Sequence, residues 1–417
     1  MTTSYSNRSQ EQCHINDTFH KGDFKLNYFT KVLVCQSTSG LKINMDRIPS
    51  FTPNILISPL DWGLGHATRC IPIIQMLIQK NCNVLVACDA KIKALLFNEF
   101  PQIGFVDLKG YNIRYSKNSW TLPLHIGKQI PKILSTIQYE NERLKEIVKE
   151  HDVHGVISDN RYGFYHKTIP SAFITHQLRI KTLFGNFFDN YLQKFNYHFI
   201  NKFSCCWVPD NATKQNLAGQ LSHSIKKPTI PLKYIGVLSR FKRVEKTQEK
   251  HLLILLSGPE PQRTVFESLL IKQLIGYKGS VVLIRGLPLK SEQIELPANI
   301  IVYNHLIGER LNLIANEASI IISRCGYSTV MDLAVLKKKS ILVPTPGQTE
   351  QEYLAKHLMK MNFALCIDQK TFSVRTVLDL SRNFNYQFTQ FSTENYLEQA
   401  LDDFITSVKT AKNKHSI

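Results

Sequence analysis

The chain has 417 residues, 43% hydrophobic and 20% charged, the make-up of a folded protein long enough for two ordinary domains. No uninterrupted apolar run approaches the ~20 residues that span a bilayer, and the first residues lack the basic start and apolar stretch of a secretory signal, so neither is expected. The formal net charge of +18 points to an anionic partner: nucleic acid, a membrane surface or a phosphorylated substrate.

Residues 1–50 are rich in Ser, Asn, Thr and Gln, without helical or strand period, and are read as a disordered N-terminal extension. From Asn54 the pattern changes. Short β-branched runs at 54–58, 83–88, 104–107, 153–158, 171–175 and 204–208 predict strands. Helical stretches fall between them near 67–80, 90–99, 126–149 and 180–202. A polar, basic stretch at 237–250 reads as a linker. Strands are expected again at 251–257, 279–285, 299–303, 318–323, 339–343 and 363–367, with helices at 262–275, 306–317, 326–337 and 350–361. A last helix at about 393–409 carries Phe404 and Ile405 and runs into a basic tail.

This alternation predicts an α/β fold of two doubly wound, Rossmann-like domains facing a cleft. The first spans 51–236 and the second 251–385, with 386–417 as a C-terminal helix and tail. Nine cysteines without a Cys-x-x-Cys pair read as reduced thiols and a cytoplasmic setting.

Four strand-to-helix turns carry polar chemistry. The first is Ser58-Pro-Leu-Asp-Trp-Gly-Leu-Gly-His-Ala-Thr-Arg69. It has no Lys-Ser/Thr pair after its glycines and lacks a third glycine, so it is neither a P-loop nor a dinucleotide fingerprint. Gly63 and Gly65 still let a backbone approach a ligand closely. His66 has the ordinary pKa of a general base, while Asp61 and Asp159 compete for that role or for orienting the imidazole.

The second turn is Ser323-Arg-Cys-Gly-Tyr-Ser-Thr-Val-Met-Asp332. A strand ends, Gly326 turns the chain, and a helix opens with Ser328 and Thr329 in its cap region, which makes an anion site. Asp332 follows about a turn later, where a carboxylate could accept from two ribose hydroxyls. Taken alone, this turn is equally an ordinary capped helix.

The third is Pro344-Thr-Pro-Gly-Gln-Thr-Glu-Gln351, with Gln348, Glu350 and Gln351 suited to sugar hydroxyls. The fourth is Leu256-Ser-Gly-Pro-Glu-Pro-Gln-Arg263. There Ser257 and Gly258 could present N–H groups to a diphosphate and Arg263 could add a cation, although its two prolines have no N–H to give.

The Ser323–Asp332 stretch, with the Pro-Gly-Gln-x-Glu-Gln loop after it, resembles the donor site of GT-B glycosyltransferases of family 28. Gly63-Leu-Gly65-His66 resembles that family's glycine-rich first loop. The likeness covers about residues 54–365 and leans toward the branch that moves N-acetylglucosamine to a lipid-linked peptidoglycan precursor. It implies a UDP-sugar as co-substrate, held by the second domain. Arg324, Gly326, Ser328 and Thr329 would line the nucleotide and diphosphate. His305 and Leu306 would face the uracil, and Glu350 and Gln351 would grip the sugar. Asp332 stands where the family usually has Glu. The resemblance also implies inversion at the anomeric carbon.

No Asp-x-Asp occurs in the chain, so helix N-termini and cations, not a metal, are expected to stabilise the leaving diphosphate, with no further cofactor. On the acceptor side, Asp159, Asn160 and Arg161 end a first-domain strand. Two basic aromatic segments, 111–132 and 179–203, suit the inner face of a membrane and a lipid-phosphate acceptor. No nucleic-acid motif is present, so nucleic acid is not expected as a partner. Two alternatives keep the fold: a UDP-sugar 2-epimerase, and a non-catalytic nucleotide-sugar-binding module.

Overall fold

The structure, a computed structural model, describes residues 51–110, 130–182, 185–292, 294–388 and 395–415. The N-terminal extension and most of the 111–132 segment lie outside the described residues.

The first sheet has seven parallel strands: β1 (Asn54–Pro59), β2 (Asn83–Cys88), β3 (Gly104–Asp107), β4 (Gly155–Asp159), β5 (Ser171–Ile174), β6 (Cys205–Val208) and β7 (Leu232–Tyr234). Their order is β3-β2-β1-β4-β5-β6-β7. Helices α1 (Leu64–Gln79), α2 (Ala90–Glu99), α3 (Ile130–Glu150) and α4 (Asn186–Ile200) connect or flank them. The unbroken apolar run of β1 follows from burial on both faces. Ile55 and Ile57 pack toward Ala67, Cys70 and Ile74 of α1, and Leu56 packs on the opposite face with Leu144 and Ile147 of α3.

The second sheet is also parallel, ordered β10-β9-β8-β11-β12-β13. Its strands are β8 (His251–Leu255), β9 (Val281–Ile284), β10 (Ile300–Tyr303), β11 (Ala318–Arg324), β12 (Ser340–Val343) and β13 (Leu365–Cys366). Its helices are α5 (Gln262–Leu274), α6 (Gly308–Asn316), α7 (Tyr327–Leu336), α8 (Thr349–Lys360) and α9 (Val374–Asn383). Both sheets belong to one compact unit, Ser50–Ile417. A single apolar cluster runs from the first sheet through α1 into Tyr327, Val330 and Met331 of α7.

Every strand predicted from the sequence is present. Two elements were not anticipated. β7 is a three-residue edge strand, half-buried and led in by Pro231, too short to show a period. Helix α9 presents much polar surface; it is capped by Ser373, whose hydroxyl accepts from Thr376 N–H.

The segment 237–250 is strapped to the second domain, not free in solvent. Lys242 N–H donates to Asn312 Oδ1 at 2.9 Å, Val244 N–H donates to Asn316 Oδ1 at 2.9 Å, and Leu238 and Phe241 are buried. The last helix, α10 (Tyr396–His415), outruns its expected end because Lys, Thr, Ala and Asn extend it without a breaker. It returns to the first domain. Phe404 meets Trp207 edge-on at 5.6 Å, Val408 lies against Gly155, and Lys80 pairs with Asp402 at 2.7 Å.

Candidate active site

In a doubly wound sheet the crevice opens where strand order reverses, outside the carboxyl ends of the strands. In the first sheet that point lies between β1 and β4, where Pro59 is paired with Asp159. In the second it lies between β8 and β11, where Leu255 is paired with Ser323. The loops leaving these strands are the ones the sequence singled out.

At the first switch point, Gly63 caps α1 with φ 102°, a conformation that favours glycine, and no side chain caps this helix. His66, in the first turn, brings Nδ1 to 3.2 Å from Asp159 Oδ2. Asp159 is wholly buried and is also held by Arg69, whose Nε donates to Oδ2 at 2.7 Å and whose Nη2 donates to Oδ1. Burial alone would raise the Asp159 carboxyl. Arg69 and His66 outweigh that and hold it well below the usual carboxylate range. Burial lowers the His66 imidazole below its ordinary value; Asp159 pulls it upward and Arg69 pushes it down. A neutral His66 with its Nδ1 proton on Asp159 keeps a lone pair at Nε2, the form a general base needs.

The carboxylate facing His66 is therefore Asp159. Asp61 lies 3.6 Å from Arg161 Nη2. Arg161 does not reach into the cleft as an acceptor contact. It is fully buried, donating to Glu140 Oε1 at 2.7 Å and to Pro59 O at 2.9 Å. Asn160 beside it has φ 58° and keeps partial exposure at the strand end.

At the second switch point, Gly326 is the N-cap of α7 and offers no capping side chain. Helix α8 likewise starts without a side-chain cap, at Gln348, whereas α2 and α9 are capped by Asp89 and Ser373, and the first turn of α5 is met by Glu260, which accepts from Thr264 N–H at 3.2 Å. Two uncapped helix starts, α7 and α8, thus stand at the carboxyl ends of β11 and β12, leaving N–H groups and positive dipole ends for an anion. Arg324 adds a buried cation that donates to carbonyls, Nη2 to Gln262 O at 3.0 Å, and lies over the Phe266 ring at 4.2 Å; burial lowers it to about 10. Arg263 does not stand free as a second cation, since it pairs with Glu260 at 2.6 Å and Glu267 at 3.2 Å. Gly258, at φ 109°, opens onto empty space beside Ser257.

The two switch points touch. Ser328 Oγ donates to Gly65 O at 2.8 Å, so its hydroxyl crosses the cleft and does not cap its own helix. Tyr327 OH donates to Pro209 O at 2.7 Å, and its ring stacks on His176 at 4.1 Å. Glu350 lies 2.7 Å from His176 Nε2 and accepts from Gln177 Nε2. Gln351 braces the loop: its Oε1 accepts from Thr345 N–H at 2.9 Å and its Nε2 donates to Gln348 Oε1 at 2.5 Å. Thr329 is buried in the first turn of α7.

Asp332 faces the segment that joins the domains. Ser239 Oγ donates to it at 2.7 Å, Arg240 Nε lies 3.9 Å away, and burial raises its carboxyl to about 6. His305 and Leu306 border a cavity of about 520 Å³ beyond β10, together with Tyr303, Asn304, Arg310 and Asn98 of the first domain. Burial and Arg240 lower His305 to about 4. Sequence reasoning missed Arg69, although its i, i+3 spacing from His66 puts both on one face of a helix.

Two doubly wound domains whose switch points meet across a cleft define the GT-B fold. Residues 288–401, from the cavity loop through the Gly326 turn and the Glu350 helix, match the family model described as Glycosyltransferase family 28 C-terminal domain. Fold and family domain together mark the chain as a glycosyltransferase. No curated protein sequence matches the chain.

Solved structures share the architecture. The glycotransferase of kitacinnamycin is 14% identical with a TM-score of 0.56, over 86% of this chain and 95% of the other. CalG4, the calicheamicin glycosyltransferase, is 12% identical with a TM-score of 0.53, over 88% and 98%. UGT73P12 of Glycyrrhiza uralensis, complexed with glycyrrhetinic acid 3-O-monoglucuronide, is 12% identical with a TM-score of 0.53, over 88% and 97%. At these identities the likeness is one of fold.

Proposed function

We propose that the protein is an inverting, metal-independent transferase that moves a sugar from a UDP-sugar to a hydroxyl or phosphate of an anionic, lipid-linked acceptor. The observation that carries this reading is the meeting of two chemistries in one cleft. A neutral imidazole backed by a buried carboxylate faces helix starts that lack caps. In the proposed step, His66 Nε2 takes the acceptor proton as the acceptor oxygen attacks the anomeric carbon from the side opposite the diphosphate. The bond to the diphosphate breaks, and its charge is received by backbone N–H groups at α7 and by Arg324. The absence of any Asp-x-Asp from the sequence supports leaving a metal out of this step.

The lipid-linked acceptor is supported by the surface of α4. Phe187 and Tyr191 are 80% and 68% exposed beside the exposed Lys194, and Tyr197 OH binds Lys226 O at 2.5 Å. That bond brings the exposed Ile225, Lys226 and Lys227 to the same helix. Apolar rings among lysines suit an anionic interface, and N-acetylglucosamine is the sugar we would try first.

The test is a thermal-shift panel of UDP, GDP, TDP and their sugars. It is followed by product NMR with and without acceptor, in EDTA and after adding Mg²⁺. Stabilisation by uridine compounds alone and an inverted anomer in EDTA support the reading. Activity that needs the metal removes its metal-independent part, and epimer formation from UDP-N-acetylglucosamine without acceptor replaces transfer by 2-epimerisation.

A further inference from the structure

Arg69 is only 2% exposed and touches Asp159, His66 and His176. Its Nε and Nη2 grip both oxygens of Asp159. Its Nη2 stands 3.0 Å from His66 Nδ1, and its Nη1 stands 3.3 Å from His176 Nδ1. A guanidinium can only donate: it offers a proton to Nδ1 of both rings, but at His66 it competes with the Asp159 carboxylate, which stands 3.2 Å from the same Nδ1 and can only accept. His176 must accept at Nδ1, so its proton sits on Nε2, where Glu350 Oε1 of the second domain waits at 2.7 Å. At His66 the competing Nη2 is already given to Asp159 Oδ1, so the Nδ1 proton is assigned to the contact with Asp159 Oδ2, which leaves the lone pair on Nε2.

We propose that Arg69 is a positioning residue that locks His66 and His176 in opposite neutral tautomers, and thereby ties the base of the first domain to the contact that closes the second domain onto it. This rests on the proposed function only in naming His66 the base. The groups facing the two rings are Arg69 on α1, Asp159 at the end of β4, Tyr327 on α7 and Glu350 on α8, with Cys70 of α1 reaching Asp159 at 3.8 Å. With neutral rings, His176 Nδ1 accepts from Arg69 and His66 Nδ1 donates to Asp159. A proton added at His176 Nδ1 would face the N–H of Arg69 and break the link to Glu350 from behind.

The experiment reads the rings directly. Full-length protein is labelled with ¹⁵N-histidine, and the two rings are assigned through His66→Gln and His176→Gln. Two-bond ¹H–¹⁵N spectra are then recorded for wild type, Arg69→Lys and Arg69→Met. Wild type should show His66 as the Nδ1–H form and His176 as the Nε2–H form. Arg69→Lys keeps the charge but loses the fork, so His176 should pass into a mixture of tautomers. Arg69→Met leaves Asp159 paired with His66 alone, so the His66 titration should move to higher pH by one unit or more, with the acid limb of kcat following it.

The same tautomer for both rings in wild type, or spectra unchanged in both variants, overturns the proposal. Arg69→Lys keeps the test decisive if Arg69→Met fails to fold. The spectra need no substrate, so they read the coupling whether or not sugar is transferred.

Discussion

Ser328 and Gly65 bind across the cleft, hydroxyl to carbonyl, at 2.8 Å. A Cβ on Gly65 would lie 2.9 Å from Ser328 Oγ and 3.3 Å from its Cβ, although Gly65 has no left-handed backbone to favour glycine. The small residue is needed here for the approach of the other domain. Gly65→Ala should cost the closed arrangement about 1–3 kcal/mol, read as a fall in kcat/KM of roughly tenfold or more. Adding Ser328→Gly should recover part of it, because the clash partner is then gone. A drop in the single variant that the double variant deepens would contradict this account.

His66→Ala should lower kcat by roughly 10²–10⁴-fold while donor affinity stays nearly constant, measured by calorimetry with UDP. A parallel loss of UDP binding would place His66 in the nucleotide site instead.

Asp332 sets a pH dependence of stability. Its folded carboxyl is raised by burial to about 6 from an ordinary 3.8. The folded state therefore binds a proton more tightly than the unfolded state, and this contribution is full below pH ~4 and lost as pH rises through ~6. Asp332→Asn should thus gain about 2–3 kcal/mol at pH 8 and almost nothing at pH 4, in urea titrations without ligand. A gain of equal size at both pH values would show that ionisation is not its cause.

Phe404→Ala should cost about 3–5 kcal/mol, because its ring is buried against Trp207 and near Gly155. Urea unfolding checks the value. A cost below 1 kcal/mol would mean that α10 is not fastened to the first domain through this side chain.

Much of this architecture was legible in the sequence, for a physical reason. Strands buried on both faces read as short apolar runs, and the turns that follow them need glycine or proline. The Gly63–His66 and Gly326–Asp332 stretches are therefore recognisable from residue order alone. What stayed hidden depends on which partner a side chain finds in space. Arg161 and Arg263 look from sequence like cations for a ligand, yet each is paired with glutamate: Arg161 with Glu140 from α3, 21 residues earlier, and Arg263 with Glu260 just before α5 and Glu267 within it. Arg69 looked like an unremarkable helix residue, because its partners Asp159 and His176 lie 90 and 107 positions away. Burial against α10 was equally invisible in Trp207, since β6 is already apolar for its own sheet.

The return of α10 to the first sheet also orders events during synthesis. The bed it fills, around Gly155 and Trp207, is translated early, but its cover emerges only after the whole second domain. At ribosomal speeds of about 5–20 residues per second, that greasy bed stays bare for roughly ten to forty seconds. Chaperone binding to nascent chains should therefore concentrate there and cease once residue 415 clears the exit tunnel.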